Sequence, residues 1–251
     1  MNVIKSSIQM RFRPDTTSNL ETECLFGECL TIIDEYLDWY YCRLLTDNYH
    51  GWVQKKYLDH MKSSTHRVIS NRTFLFKNKD VKLGFIDYLP LGSEVCIQNI
   101  ETDWAEVCLF KKNNYNIGYV ASKHLIEKEK NIKDWVSIAE GLIGTPYVWG
   151  GRNSIGLDCS ALLQLSYQTY GEKIPRNSVD QSLLNKEIIK DKNYIKRGFT
   201  VFWKDHVGIM ADETNCIHAN AFHMKVTKEP LNEIVSRTKI DNPIIKIMNF
   251  N

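Results

Sequence analysis

The segment Gly156–Gln164 reads GLDCSALLQ, a cysteine set between an acid and a hydroxyl ahead of an apolar run. Asp158 is a favoured helix N-cap, so Cys159 opens a helix expected to run to about Tyr170, where Gly171 stops it. A thiol there faces the partial positive charge of the helix end. That lowers its pKa and raises the thiolate fraction, the nucleophilic form. A nucleophile also needs a base. Two of the seven histidines lie in strand-like runs that would hold them rigidly: His206 opens HVGIMAD, and His218 sits in NCIHAN. On adjacent antiparallel strands the two rings could meet, with His218 orienting His206. The same residues also fit a loop leading into a buried helix, with a packed thiol and two strand histidines. Pattern alone leaves both readings open.

The elements that must position these groups are legible in outline. The charged run EKEKNIKD near Glu127 gives way to a helical spacing of Trp135, Ile138, Ala139 and Leu142, ended by Gly144, Thr145 and Pro146. From Thr200 onward the texture is that of strands: TVFW, HVGIMAD, NCIHAN and FHMKVTKEPL. Helices followed by a strand meander predict an α+β domain. The first half differs and contains an internal repeat. At a uniform offset of 65, Gly27 falls on Gly92, Leu30 on Val95, Ile32 on Ile97, Asp38 on Asp103 and Trp39 on Trp104. GWVQKKYL from Gly51 then matches GYVASKHL from Gly118, after two inserted residues. Each unit has short alternating apolar runs broken by Gly, Asn and Asp, the pattern of a small antiparallel barrel, with Trp39 and Trp104 expected in the packing. The boundaries expected are 1–62 and 63–128 for two barrels and 129–251 for the α+β domain.

Composition narrows the partners. With 32 Lys and Arg against 30 Asp and Glu, a net charge of +2 gives no electrostatic case for nucleic acid or an anionic membrane. No run of apolar residues is long enough to span a bilayer. The start has no apolar signal region, and the seven cysteines are odd in number without a CxxC. A cytoplasmic protein with reduced thiols and no zinc site is therefore expected.

Four motifs together carry a resemblance. GTPYVWGGRNSIGLDCSALLQ, IPRNSVDQ, HVGIMAD and IHAN stand in the order and rough spacing of the NlpC-type cysteine peptidases, over about residues 130–235. The paired GWV and GYV segments resemble bacterial SH3-like domains over about residues 1–127. The resemblance implies a papain-like α+β peptidase behind two SH3-like barrels. It also implies hydrolysis of the bond between γ-D-glutamate and the diamino acid in murein peptides with a free N-terminal L-alanine. It makes Cys159 the nucleophile, His206 the general base and His218 the orienting residue, with Tyr147 near the reacting carbonyl. For substrate binding it points to Asp158 and Ser160 beside the nucleophile, and to Asn177 and Ser178, where the family usually reads Pro-Arg-Asp-Ser. From the first barrel it points to Glu21 and Tyr49, with Glu23 and Tyr57 as near alternatives. Phe199 stands where many relatives carry aspartate, and Cys216 shares strand parity with His218. No cofactor or metal is implied, and a monomer is the expected state. A cysteine amidase or acyltransferase on the same scaffold, and a non-catalytic binding module, are the competing readings.

Overall fold

The computed structural model describes residues 1–111, 114–191, 194–238 and 240–251. The chain divides into two compact units: Met1–Asn131 with Arg152–Ser154, and Ile132–Gly151 with Ile155–Asn251.

The repeat is visible in the first unit as two sheets of one topology. In the first, the strand order is Leu20–Leu25, Ser7–Arg11, His50–Gln54, Trp39–Leu44, Leu30–Tyr36. In the second it is Phe85–Pro90, Arg72–Phe76, Asn114–Ala121, Trp104–Lys111, Ile97–Glu101. Small details repeat at the same offset. The ladder is irregular between Ile32 and Asp34 and again between Ile97 and Asn99. Leu37 and Thr102 both turn with positive φ, as do Gly27 and Gly92. Each sheet closes over its own core: Ile8, Met10, Cys24, Cys42, Leu44 and Val53 in one, Val68, Leu75, Leu89, Val107 and Val120 in the other. Trp39 is buried, while Trp104 is half-buried and meets Phe76 edge-on. The two halves approach backbone to backbone. The Glu94 amide donates to the Phe26 carbonyl, and Gly27, at φ +82°, has no space for a Cβ beside the Glu94 carbonyl. Arg152, fully buried in this unit, donates to both oxygens of Glu28 at 3.0 and 2.8 Å.

The second unit is built on one antiparallel sheet in the order Lys225–Pro230, Asn215–Asn220, His206–Met210, Phe199–Trp203, Lys246–Asn249. The helix Cys159–Gln168 packs on the His206 and His218 strands and is buried from Cys159 to Tyr167. Asp158 caps it, one carboxylate oxygen accepting the Ala161 amide at 2.9 Å. The shorter helix Val136–Gly141 lies against it. Trp135 and Phe250 meet the Tyr167 ring edge-on at 5.1 and 5.0 Å between centroids. Phe199, in the position where relatives carry an acid, is buried in the core with Val201, Trp203 and Met210. Among the described residues, no helix is long and apolar enough to cross a membrane.

Candidate active site

Cys159 stands at the first helical position, 8 % exposed, and the amides of Val207 and Ser160 act on its thiol. Val207 follows His206 directly, so the start of the Cys159 helix adjoins the strand that carries His206. The electrostatics differ from the sequence expectation of a lowered thiol pKa. Burial and then the Asp158 charge push the Cys159 thiol up from 9.0 to about 12, against those amides and Arg176. That rise corresponds to about 4 kcal/mol, whereas a helix terminus ordinarily supplies only ~0.3–1 kcal/mol. Desolvation wins.

His206 and His218 lie on neighbouring strands and face the same side. Their ring centroids are 5.1 Å apart with planes inclined at 68°, and His206 Nε2 meets His218 Nδ1 at 2.9 Å. With Nε2 so engaged, Nδ1 is the His206 nitrogen left for the thiol. Burial, then His218 and Arg237, hold His206 down to about 3, so the resting pair is a neutral thiol and a neutral imidazole. Gly208 is on the His206 strand, two residues on and on the same face. A Cβ there would overlap the Cys216 sulfur and lie 3.4 Å from the His218 Cβ. Cys216 is a fully buried core thiol, pushed up by burial first and then by Glu229.

Asp158 does more than cap the helix. Its Oδ1 accepts from Ala161 N, Ser160 Oγ and Arg176 Nη1, and its Oδ2 from Gly150 N and Arg176 Nη2. Arg176 also reaches Ser160 Oγ at 2.8 Å, and Gln181 donates to the Ser160 carbonyl at 3.0 Å. Tyr147 is half-buried. Burial and then the nearby Cys159 and Asp158 raise its phenol to about 12, so it remains a hydrogen-bond donor at neutral pH. Trp149, two residues on, is 69 % exposed and packs little against it.

A thiol, a two-histidine relay and a capped helix start now stand in one place. Residues 144–242 match the NlpC/P60 family, and residues 10–58 match the bacterial dipeptidyl-peptidase SH3 domain. The chain carries an NlpC/P60 domain. It is 25% identical over 252 residues to gamma-D-glutamyl-L-lysine dipeptidyl-peptidase of Bacillus cereus, covering 86% of this chain and 72% of that protein. Dipeptidyl-peptidase 6 of Lysinibacillus sphaericus is 27% identical over 254 residues, covering 92% of this chain and 91% of its own length. An NlpC/P60 family protein from Bacillus cereus has the same fold, with a TM-score of 0.85 at 19% identity over 99% of this chain and 98% of that one.

Of the remaining residues expected at the site, Asn177 and Ser178 belong to the second unit and the others to the first barrel. Asn177 is exposed at the N-cap of the short helix Ser178–Gln181, and its side chain makes no cap hydrogen bond there; Ser178 is buried. On the first barrel, Tyr49 packs on the core and its hydroxyl donates to Glu21 Oε2 at 2.9 Å. Glu23 and Tyr57 line a polar cleft of about 530 Å³ with Ser7, Gln9, Arg11 and Trp39. Glu23 Oε2 accepts from the Arg152 amide and Asn153 Nδ2 at 2.8 and 2.7 Å, and burial raises its carboxyl above the usual range despite them. Among the described residues, no group of three or more His, Cys, Asp or Glu is arranged to hold a metal ion.

Sequence reading passed over three residues that hydrogen-bond to the candidate site residues. Arg176 and Gln181 flank the Asn177 and Ser178 that it selected, and Glu229 lies in FHMKVTKEPL, read only as a strand. Strand parity carried through the meander was the signal for Glu229, since 227 and 229 share a face with 216 and 218.

Proposed function

We propose that the protein is a cysteine peptidase of murein peptides that cleaves between γ-D-glutamate and the following diamino acid when the N-terminal L-alanine is free. The observation that carries this is the Cys159 thiol at a buried helix start, beside a strand on which His206 is held by His218 at 2.9 Å. The two full-length relatives, one named for γ-D-glutamyl-L-lysine and one a dipeptidyl-peptidase, support the substrate class.

In this reading His206 Nδ1 takes the thiol proton, and the thiolate attacks the side-chain amide carbonyl of D-glutamate. The Cys159 amide and the Tyr147 hydroxyl donate to the oxyanion. His206 then protonates the departing α-amine of the diamino acid, leaving an L-alanyl-D-glutamyl thioester on Cys159. Water, deprotonated by His206, attacks the thioester and frees the dipeptide. Asp158 and Ser160 border the substrate at the nucleophile, while Asn177 and Ser178 face its glutamyl unit. The Asp158 carboxylate suits the free ammonium of the L-alanine, a charge-assisted contact. All seven cysteines are free thiols, which favours a reducing compartment such as the cytoplasm and turnover of released peptides.

The test is hydrolysis of L-Ala-γ-D-Glu-L-Lys and its diaminopimelate counterpart, each free and N-acetylated. Cleavage of the free peptides by wild type, its loss in Cys159→Ala and poor turnover of acetylated forms are expected. Activity persisting in Cys159→Ala overturns the catalytic reading, and equal rates on acetylated peptides overturn the ammonium requirement.

A further inference from the structure

The strand beyond His218 carries an acid on the same face. Asn215–Asn220 pairs with Lys225–Pro230 so that His218 lies opposite Thr227 and Cys216 opposite Glu229, which makes Glu229 the diagonal neighbour of His218. Glu229 Oε1 is 2.7 Å from His218 Nε2. A carboxylate only accepts, so His218 Nε2 carries the hydrogen and Nδ1 presents a lone pair. His206 Nε2, at 2.9 Å from that lone pair, must therefore donate. This leaves His206 Nδ1 unprotonated and ready for the thiol. Asn220 Nδ2 also lies 3.2 Å from His218 Nε2, but its two hydrogens have acceptors in Thr227 Oγ1 at 3.0 Å and the His218 carbonyl at 3.4 Å, which leaves the shorter 2.7 Å contact with Glu229 to set the Nε2 hydrogen.

We infer that Glu229 is a positioning residue of the peptidase: its carboxylate orders the hydrogens along His218 and His206 and offsets the charge that His206 acquires. The inference rests on the cysteine-peptidase reading above and extends it. A histidine held only by another neutral histidine has two tautomers to choose from. If His218 carried its hydrogen on Nδ1, His206 would turn its lone pair toward His218 and lose its function as base. Glu229 removes that choice. No proton passes to it: the thiol proton moves from Sγ to His206 Nδ1, and the other hydrogens stay where they are.

The acid is itself held in place. Arg237, on the helix Leu231–Thr238, donates Nη2 to Oε1 at 2.7 Å and Nη1 to Oε2 at 3.2 Å, and His223 Nε2 lies 3.3 Å from Oε1. Burial opposes ionisation of Glu229, but the hydrogen bonds from Arg237 and His218 hold its carboxyl down at about 2. The charged and titratable groups that act on the two rings are thus Asp158 at the helix N-cap, His223 in the turn between the two strands, Glu229 from the sheet, and Arg237.

The experiment compares wild type with Glu229→Gln, Glu229→Asp and Arg237→Met. It measures kcat and KM on L-Ala-γ-D-Glu-L-Lys and the pH profile of Cys159 alkylation by iodoacetamide, which needs no substrate. Glu229→Gln should lower kcat roughly 10- to 100-fold with KM within about twofold, because the loss falls on the base and not on binding. Glu229→Asp should lie between it and wild type. The histidine-governed limb of the alkylation profile should move down in Glu229→Gln, where the imidazolium loses its counter-charge. It should move up in Arg237→Met, where an opposing cation is gone. A kcat and profile in Glu229→Gln that coincide with wild type while the melting temperature falls would overturn the inference. So would an Arg237→Met limb that stays fixed or moves down, which keeps the question open to disproof even if Glu229→Gln does not fold. Opposite limb shifts in an enzyme that cleaves no murein peptide would uphold Glu229 and count against the substrate reading alone.

Discussion

Arg176 grips both carboxylate oxygens of Asp158, at 2.9 and 2.7 Å, one residue before the nucleophile. Both side chains are nearly sealed from solvent, at 2 % and 10 % exposure. Removing one partner therefore strands a buried charge. Arg176→Met should cost about 3–5 kcal/mol of stability, read as a lower urea midpoint. With its counter-ion gone, Asp158 should raise the Cys159 thiol further and slow alkylation at a fixed pH. The double variant Arg176→Met/Asp158→Asn should recover much of the stability; no recovery would mean the loss comes from packing.

His218 touches the base directly, so its removal should be felt in the chemical step. His218→Ala should lower kcat by about 100-fold or more with a smaller change in KM, and circular dichroism should match wild type. A loss confined to KM would assign His218 to substrate binding.

Acid should unfold the protein earlier than its carboxylates alone require. In the folded state burial, then His218 and Arg237, hold His206 to about 3, against an ordinary 6.5. The unfolded chain therefore binds more protons between those values. Stability is complete above about 6.5 and is lost as pH falls toward 3. Burial lowers His218 as well, against the pull of Glu229, and adds in the same direction. Each such group contributes a slope of up to about 1.4 kcal/mol per pH unit. Urea midpoints measured from pH 8 to pH 4 should fall steadily, and His206→Gln should flatten the curve. An unchanged curve in that variant would place the acid sensitivity elsewhere.

Gly208 is tested by its neighbour. A methyl group at 208 would overlap the Cys216 sulfur, which lies on the His218 strand, and would touch His218. Gly208→Ala should lower both melting temperature and kcat. Adding Cys216→Ala makes room, so the double variant should regain activity that the single one lost; a double variant as inactive as the single one would show that backbone conformation is at fault.

The repeat was readable because glycines, bulges and tryptophans recur at one offset, and each reports a local backbone requirement that repeats with the fold. Cys159, His206 and His218 were readable for a related reason: a cap and two strand positions fix their directions within a few residues. Glu229 and Arg176 were not. Finding Glu229 requires the register across a turn whose length sequence does not reveal, and Arg176 acts across 18 residues on Asp158. The sign of the Cys159 shift was misread because capping is local whereas burial belongs to the whole domain. The chain divides after Asn131. Arg152–Ser154 join the first unit through contacts such as Arg152 with Glu28, which no composition change announces.

The buried, protonated state of Cys159 has a consequence for the protein's lifetime. Peroxide attacks thiolates, and exposed low-pKa cysteines are the ones converted to sulfenic and then sulfinic acid. A thiol at about 12, with 8 % of its residue surface accessible, is chemically quiet until a substrate carbonyl arrives and His206 can take the proton. The residue most easily ruined by oxidation thus reacts slowly with small oxidants while the enzyme idles, and fastest with the bond it cuts.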